Sequence, residues 1–165
     1  MDRKPKSDRT PWTDLGPDGE NLLVHDFLTT RLSALMGALR RQVTMPYASA
    51  HGLSIAEWRV LSLVAHAGIL SFGDVVAQSS TDKAQVSRVV RKLEQRDLLA
   101  IQPGADSPRK KIDCVITASG QKLHDKVIVV ARKRQAQVIT ILAPDEREAL
   151  FAIAEKLQAN LENDR

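Results

Sequence analysis

Between residues 52 and 117, the spacing of apolar residues changes from that of a helix to that of a strand, and this order is compatible with few folds. Three short segments with the 3.6-residue period of an amphipathic helix come first, and two segments with the alternation of a β-strand follow. The helical segments are 52–68, 71–78 and 82–97, and the strands are 98–102 and 111–117. Each helix starts at its own capping residue, namely Ser54, Ser71 and Asp82. The pattern predicts a mainly α-helical protein with a small β-hairpin.

Long helices are predicted on both sides of this segment. Residues 1–19 contain three prolines and no periodicity, so we expect a flexible N-terminal arm there. A helix is predicted over 20–45, ended by Pro46, and two more over 118–163, the last opening at Pro144. The domain 20–163 then holds a lobe at 52–117 and terminal helices at 20–45 and 118–163. Their apolar stripes exceed what one small domain can cover, so we expect these helices to pair in a homodimer.

Positive charge is concentrated in one part of the chain. The net charge is +4, whereas residues 83–111 alone contain eight cations and three acids, a net +5. A local basic surface of this kind is typical of a partner such as nucleic acid. There is no apolar run long enough for a membrane span and no secretory signal, and one cysteine excludes an internal disulfide. We therefore expect a cytoplasmic protein with no membrane partner.

Two short helices joined by the tight turn 79–81 and followed by a hairpin form a winged helix-turn-helix. In the helix after the turn, Val86, Val90 and Leu93, with Val89 beside them, are predicted to pack inward. The remaining arc and the hairpin tip are predicted to face DNA, with Gln85 suited to adenine and the cations to guanine or phosphate. The predicted DNA-binding residues are Ser80, Thr81, Lys83, Gln85, Ser87, Arg88, Arg91, Arg109, Lys110 and Lys111.

Three segments, 52-GLSIAEWRVL-61, 82-DKAQVSRVVRKLEQRDLL-99 and 116-ITASGQKL-123, resemble the MarR family of bacterial transcription regulators. The resemblance extends from about residue 20 to the end. It implies a winged helix-turn-helix homodimer on a pseudo-palindromic double-stranded operator, usually as a repressor that a small molecule releases. Two positions depart from the family: Asp97 stands where a glycine is usual, and the wing's Asp and Arg positions hold Pro108 and Lys110. Asp106 and Arg109 lie nearby but out of register, so the minor-groove contact falls on Arg109, Lys110 or both.

The resemblance also implies a pocket for a small organic effector, of the aromatic or phenolic acid type. Residues that could line it are Trp58, His25, His51, Arg40 and Arg59. A tryptophan in a helix stripe is more often part of the core than of a ligand site.

Other chemistries have little support in the sequence. Cys114 could be a redox sensor, but its place on the apolar face of a strand favours buried packing. The four histidines, His25, His51, His66 and His124, lack the spacing of a metal site. There is no phosphate-binding loop, and no carboxylate pair or Cys–His arrangement suggests catalysis, so we expect no enzyme activity and no cofactor.

The sequence therefore predicts a ligand-responsive homodimeric repressor. A constitutive DNA-binding or architectural protein without an effector is the alternative. A third is an interaction scaffold or an enzyme with an unrecognised site, without DNA binding.

Overall fold

The structure is a computed structural model, and it describes residues 10–79, 81–104 and 111–163. The chain divides into two compact units, with the boundary between Gln42 and Val43. The DNA-binding features predicted from the sequence all belong to the second unit.

The first unit contains a 3-10 turn, Val24–Asp26, and helix α1, Leu28–Leu39. Asp26 is buried, and its carboxylate accepts a hydrogen bond from Arg31 Nη2 at 2.6 Å. The indole Nε1 of Trp12 donates to the backbone carbonyl of Asp26 at 2.6 Å. Within this unit α1 has no buried residue. Its exposed apolar side chains are Leu28, Leu32, Leu35 and Met36.

The prediction of one helix from residue 20 to residue 45 was wrong at both ends. The helix begins only at Leu28, and the Asp26 carbonyl binds the Trp12 indole instead of a helical N–H group. At the other end Pro46 does not stop the chain's helical course. A π-helical turn, Arg40–Thr44, leads into helix α2, Met45–Ala50, where Pro46 lies in the first turn. Proline is tolerated there because the first N–H groups of a helix have no helical acceptor.

Three short helices of the second unit follow the capping pattern of the sequence. They are α3, Ile55–Ala67; α4, Phe72–Ser79; and α5, Lys83–Gln95. Ser54 and Glu57 form a reciprocal capping box, and Gly68 ends α3 with φ of 75°. Ser71 Oγ accepts from the Asp74 N–H at 3.1 Å. Since each helix is closed by its own side chains, the predicted segments were confirmed within a few residues.

A three-stranded antiparallel sheet replaces the predicted two-stranded hairpin. Strands β2, Leu99–Pro103, and β3, Ile112–Ile116, form the hairpin, with Ile101 opposite Cys114. The additional strand β1, Ile69–Ser71, pairs with the other edge of β3, with Leu70 opposite Cys114. The order is β1-β3-β2. The wing is thereby joined to the chain between α3 and α4.

Two long helices complete the second unit. Helix α6, Ala118–Ile139, begins at Thr117, whose side chain accepts from the Gly120 N–H at 2.9 Å. Helix α7, Pro144–Asn163, contains no buried residue. Among the residues described, no helix combines the length and apolar content needed to cross a membrane.

The core of the second unit lies where α3, α5 and the sheet meet. Leu61, Val64, Leu93 and Cys114 are completely buried there. Burial of these side chains fixes α5 against α3 and leaves the opposite side of α5 facing outward.

Candidate nucleic-acid interface

The turn between α4 and α5 is held by hydrogen bonds to one carbonyl. Ser79, the last residue of α4, is buried, and its carbonyl accepts from Thr81 Oγ1 at 3.1 Å and from Arg59 Nη1 at 3.0 Å. Asp82 Oδ1 then accepts from the Gln85 N–H at 2.8 Å and starts α5. The helix-turn-helix geometry is therefore fixed on both sides of the turn.

The two faces of α5 separate as the sequence predicted. Val86, Val89, Val90 and Leu93 are between 0% and 8% exposed. Ser87 is half-buried, and the other predicted recognition residues are exposed. Those exposed residues are Lys83, Gln85, Arg88 and Arg91. The structure thus brings these five side chains to one outward surface, which we call the recognition face.

Among the residues that the structure describes, no ion pair neutralises the cations of the recognition face. Lys83, Arg88 and Arg91 take part in no ion pair in the described part of the chain. Arg96, by contrast, donates to the Gly52 carbonyl at 3.0 Å and lies 3.9 Å from Glu57 Oε2. Arg96 therefore anchors the end of α5, whereas the recognition face keeps its charge available for a polyanion.

One further predicted DNA-binding residue, Lys111, lies in the described part of the wing, the hairpin of β2 and β3. Lys111 is exposed, and its carbonyl accepts from the Gly104 N–H at 2.8 Å, which closes the described part of the hairpin. Ser80, Arg109 and Lys110 lie outside the described residues. The same holds for Asp106 and Pro108, so the register of the wing stays a prediction.

Asp97 adopts the left-handed backbone conformation that the family's glycine would provide. Its φ is 53°, and the Leu98 and Asp97 N–H groups donate to the Leu93 and Glu94 carbonyls at 2.9 Å. This pairing is a Schellman motif. Thr117 Oγ1 donates to the Asp97 carbonyl at 2.7 Å, and these bonds fix where the wing leaves α5.

A cavity of about 440 Å³ opens on another side of the second unit, within the size range of small-molecule sites. Trp58 forms part of its wall and is 6% exposed. The Trp58 ring also meets Tyr47 edge-on and stacks on His124, with centroids 5.6 Å apart. The other lining residues are Tyr47, Ser62, Ile128, Ala131, Arg132, Gln135, Ala136 and Ile139.

The remaining predicted effector residues lie elsewhere. His51 Nδ1 is 2.8 Å from the Tyr47 carbonyl, and the Arg59 guanidinium is bound at the end of α4. Two belong to the first unit: His25 is 3.3 Å from Asp26 Oδ2, and Arg40 is exposed. Neither His51 nor Arg59 is among the residues that line the cavity.

Sequence reasoning missed the α6 residues of the cavity wall. Ile128, Arg132, Gln135 and Ile139 recur every three or four residues, which places them on one helix face. That periodicity is visible in the sequence. The prediction for residues 118–163 concerned only the pairing of long helices in a homodimer.

Cys114 is completely buried in the central strand. Burial, with smaller contributions from the Asp113 and Glu94 carboxylates, raises the pKa of its thiol to about 11. At neutral pH the group is a protonated, inaccessible thiol, which favours the packing interpretation. No group of three His, Cys, Asp or Glu side chains arranged for a metal occurs in the ranges that the structure describes.

The fold and the recognition face define a winged-helix protein that binds DNA. Comparison with known proteins gives the same class, since the model of the MarR family matches residues 51–109. The HTH-type transcriptional repressor Rv2887 of Mycobacterium tuberculosis is 28% identical over 114 residues, which cover 68% of this chain and 81% of the relative.

Two solved structures extend the likeness over the fold. A MarR/EmrR family transcriptional regulator from Acinetobacter sp. ADP1 is 25% identical with a TM-score of 0.73, covering 82% of this chain and 94% of that one. Bordetella bronchiseptica BpsR, whose DNA binding is regulated by 6-hydroxynicotinic acid, is 25% identical with a TM-score of 0.67, covering 83% and 97%.

Residues 51–109 of this chain are thus similar to the MarR family of transcriptional regulators, and solved structures of that family share the fold over most of the chain. The members of that family are DNA-binding transcriptional regulators and not enzymes. The expectation of a regulator without catalytic activity agrees with this similarity.

Proposed function

We propose that the protein is a homodimeric repressor that binds a pseudo-palindromic operator and is released by a small aromatic or phenolic acid. The recognition face carries this proposal, because it holds exposed cations that form no ion pair with another described residue, directly after a capped helix start. The repressor names of the curated relatives support the direction of regulation. A protein that acts on the chromosome would work in the bacterial cytoplasm.

Within the recognition face, different side chains are assigned different tasks. Gln85 and Ser87 are suited to base edges in the major groove, and Lys83, Arg88 and Arg91 to guanine or phosphate. Ser80 and Thr81 would meet the DNA backbone beside the turn. Arg109, Lys110 and Lys111 of the wing would meet phosphates or the adjacent minor groove.

The exposed apolar side chains of the last helix support the homodimer. Leu150, Phe151, Ile153 and Leu161 are between 55% and 69% exposed, although α7 is 20 residues long. A helix with no fully buried side chain among its described residues becomes more stable when a second copy covers its apolar face. A two-fold pair of this kind would set two α5 helices about one DNA turn, roughly 34 Å, apart.

The cavity beside Trp58 is the proposed effector site. Its wall is mostly apolar, with the aromatic rings of Trp58 and Tyr47 for stacking and Arg132 as a cation for a carboxylate. Regulation of BpsR by 6-hydroxynicotinic acid supports this class of ligand. Occupation would favour a dimer in which the two α5 helices no longer match the operator spacing.

Loss of the Arg88 side chain should weaken operator binding. Arg88→Ala is expected to lower affinity by roughly tenfold, because it removes one charge-assisted contact, with unfolding temperature unchanged. Fluorescence anisotropy on a duplex selected by the wild-type protein measures this, repeated at several salt concentrations. Wild-type affinity should fall with salt by about 0.9 log units per log unit for each neutralised phosphate.

Lys133→Ala, which removes an equal charge from α6, is the matched control and should bind as the wild type does. Unaltered binding by Arg88→Ala would contradict the proposed role of α5. Absence of salt-dependent DNA binding in the wild type would favour the interaction scaffold.

An effector that binds beside Trp58 should release the DNA complex. In a titration of that complex, 6-hydroxynicotinic acid and hydroxybenzoic acids are the probes. Trp58→Leu is expected to bind DNA normally and to need at least about tenfold more of any active acid, since it loses the stacking surface. An equal response of the variant and the wild type would remove Trp58 from the site. No response of the wild type to any acid would favour the constitutive DNA-binding alternative.

A further inference from the structure

We propose that Arg59 is a positioning residue for DNA recognition, which sets the turn between α4 and α5 without contacting DNA. The inference rests on the proposed binding of DNA through the recognition face. It gives Arg59 a role different from the effector contact predicted from the sequence.

The contact that carries the inference joins two helices across 20 residues of sequence. Arg59 lies in the first two turns of α3, and its Nη1 donates to the Ser79 carbonyl at 3.0 Å. Ser79 is 1% exposed, and its own hydroxyl donates to the Val76 carbonyl at 3.1 Å. The arginine thus holds the final residue of α4 from a neighbouring helix.

The Ser79 carbonyl at the C-terminal end of α4 needs a hydrogen-bond donor from outside that helix. The last carbonyls of a helix have no helical N–H partner, and a buried one is costly if left without a hydrogen bond. Thr81 Oγ1 supplies one donor at 3.1 Å, and the guanidinium supplies a second one that is charged. The positive charge also lies at the negative end of the helix dipole, which strengthens the interaction.

The position of this carbonyl controls the recognition face. Only residues 80–82 separate Ser79 from the first residue of α5, and Asp82 caps that helix through Gln85. A shift of the α4 end therefore passes into the start of α5, where Lys83 and Gln85 are presented. Specific binding depends on that alignment, whereas attraction to phosphates depends mainly on charge.

The test compares Arg59→Met, which keeps the length and loses the donors, with Arg59→Lys, which keeps one charged donor. The DNA probes are a duplex selected by the wild-type protein from about 30 random base pairs, which is room for two half-sites, and the unselected pool. Arg147→Met is the matched control, because Arg147 Nε also donates to a backbone carbonyl, that of Leu142, at 2.9 Å in the connection between α6 and α7. Anisotropy at several salt concentrations and thermal unfolding are recorded for each protein.

Arg59→Met is expected to lose roughly tenfold in affinity for the selected duplex and less than about twofold for the pool. Its salt slope on the pool should equal that of the wild type, and Arg59→Lys should recover most of the selected affinity. Equal losses on both probes with a slope lower by about 0.9 would make Arg59 a phosphate contact and overturn the inference. Wild-type binding by Arg59→Met, or a loss shared by Arg147→Met, would overturn it too. If the wild type selects no duplex, the proposed function itself fails.

Discussion

Asp97 shows how a single residue can meet a backbone requirement that usually selects glycine. A left-handed φ is costly for most side chains, and aspartate is among the few that tolerate it. Here its carboxylate accepts a hydrogen bond from Ser119 Oγ at 3.1 Å, so the side chain is bound where glycine has none. Asp97 therefore replaces the glycine that is usual in the family and keeps the left-handed backbone conformation.

The thiol of Cys114 should make stability depend on alkaline pH. The pKa in the folded protein is raised from 9.0 to about 11 by burial, so folding favours the protonated form. This contribution is complete below pH 9 and is lost as the pH rises toward 11, because the unfolded thiol ionises first. The free energy of unfolding is expected to fall by about 2 kcal/mol more across this range than in Cys114→Ala.

Urea unfolding of both proteins at pH 8 to 11 measures that difference. The comparison concerns the slopes with pH, since the alanine variant also leaves a cavity that lowers stability at every pH. Parallel profiles would show that Cys114 does not ionise on unfolding.

At the scale of elements, the capping residues made the short helices predictable from the sequence. Short-range patterns did not predict strand β1 or the contact between α3 and the end of α4. Ser54 and Asp82 mark helix starts because their side chains satisfy N–H groups a few residues away. β1 has only three residues, too few for an alternation to be seen, and it exists because β3 offers a free edge. The Arg59–Ser79 bond was likewise invisible, since the sequence does not show which helix end an arginine reaches.

The start of α6 packs so closely against Leu98, the residue before β2, that only glycine fits at position 120. A Cβ there would overlap the Leu98 carbonyl and lie 2.8 Å from Ile116 Cδ1. Gly120→Ala is therefore expected to destabilise the protein by about 1–3 kcal/mol, because backbone atoms must move. Gly73→Ala in α4 is the control, since its new methyl group would meet only Ser71 Oγ, at 3.8 Å.

Gly73→Ala should be neutral or stabilising by up to about 1 kcal/mol, as expected for alanine in a helix. Chemical unfolding gives both values. A stability of Gly120→Ala equal to the wild type would mean that α6 can shift on the sheet without cost.

At the scale of the whole molecule, the exposed apolar side chains of α7 predict a dimer that one charge can disrupt. Phe151 is 67% exposed, and a lysine there would place an unpaired charge in the proposed interface. Phe151→Lys is expected to sediment as a monomer at micromolar concentration and to lose selective DNA binding. Ala159→Lys, at an exposed position of α7 on the side opposite to Leu150 and Leu161, should remain a dimer.

Sedimentation velocity of the wild type and the two α7 variants measures whether each protein is a monomer or a dimer. A wild-type monomer, or a dimer that tolerates Phe151→Lys, would contradict the proposed assembly through α7.

The strand order also determines how the folded chain resists aggregation. Because β3 is central, the open edges of the sheet belong to β1, which is only three residues long, and to β2, which ends at Pro103. A proline offers no N–H to an incoming strand, and a three-residue edge offers too few groups to hold one. The wing can therefore remain exposed on the surface without acting as a template on which other chains add strands.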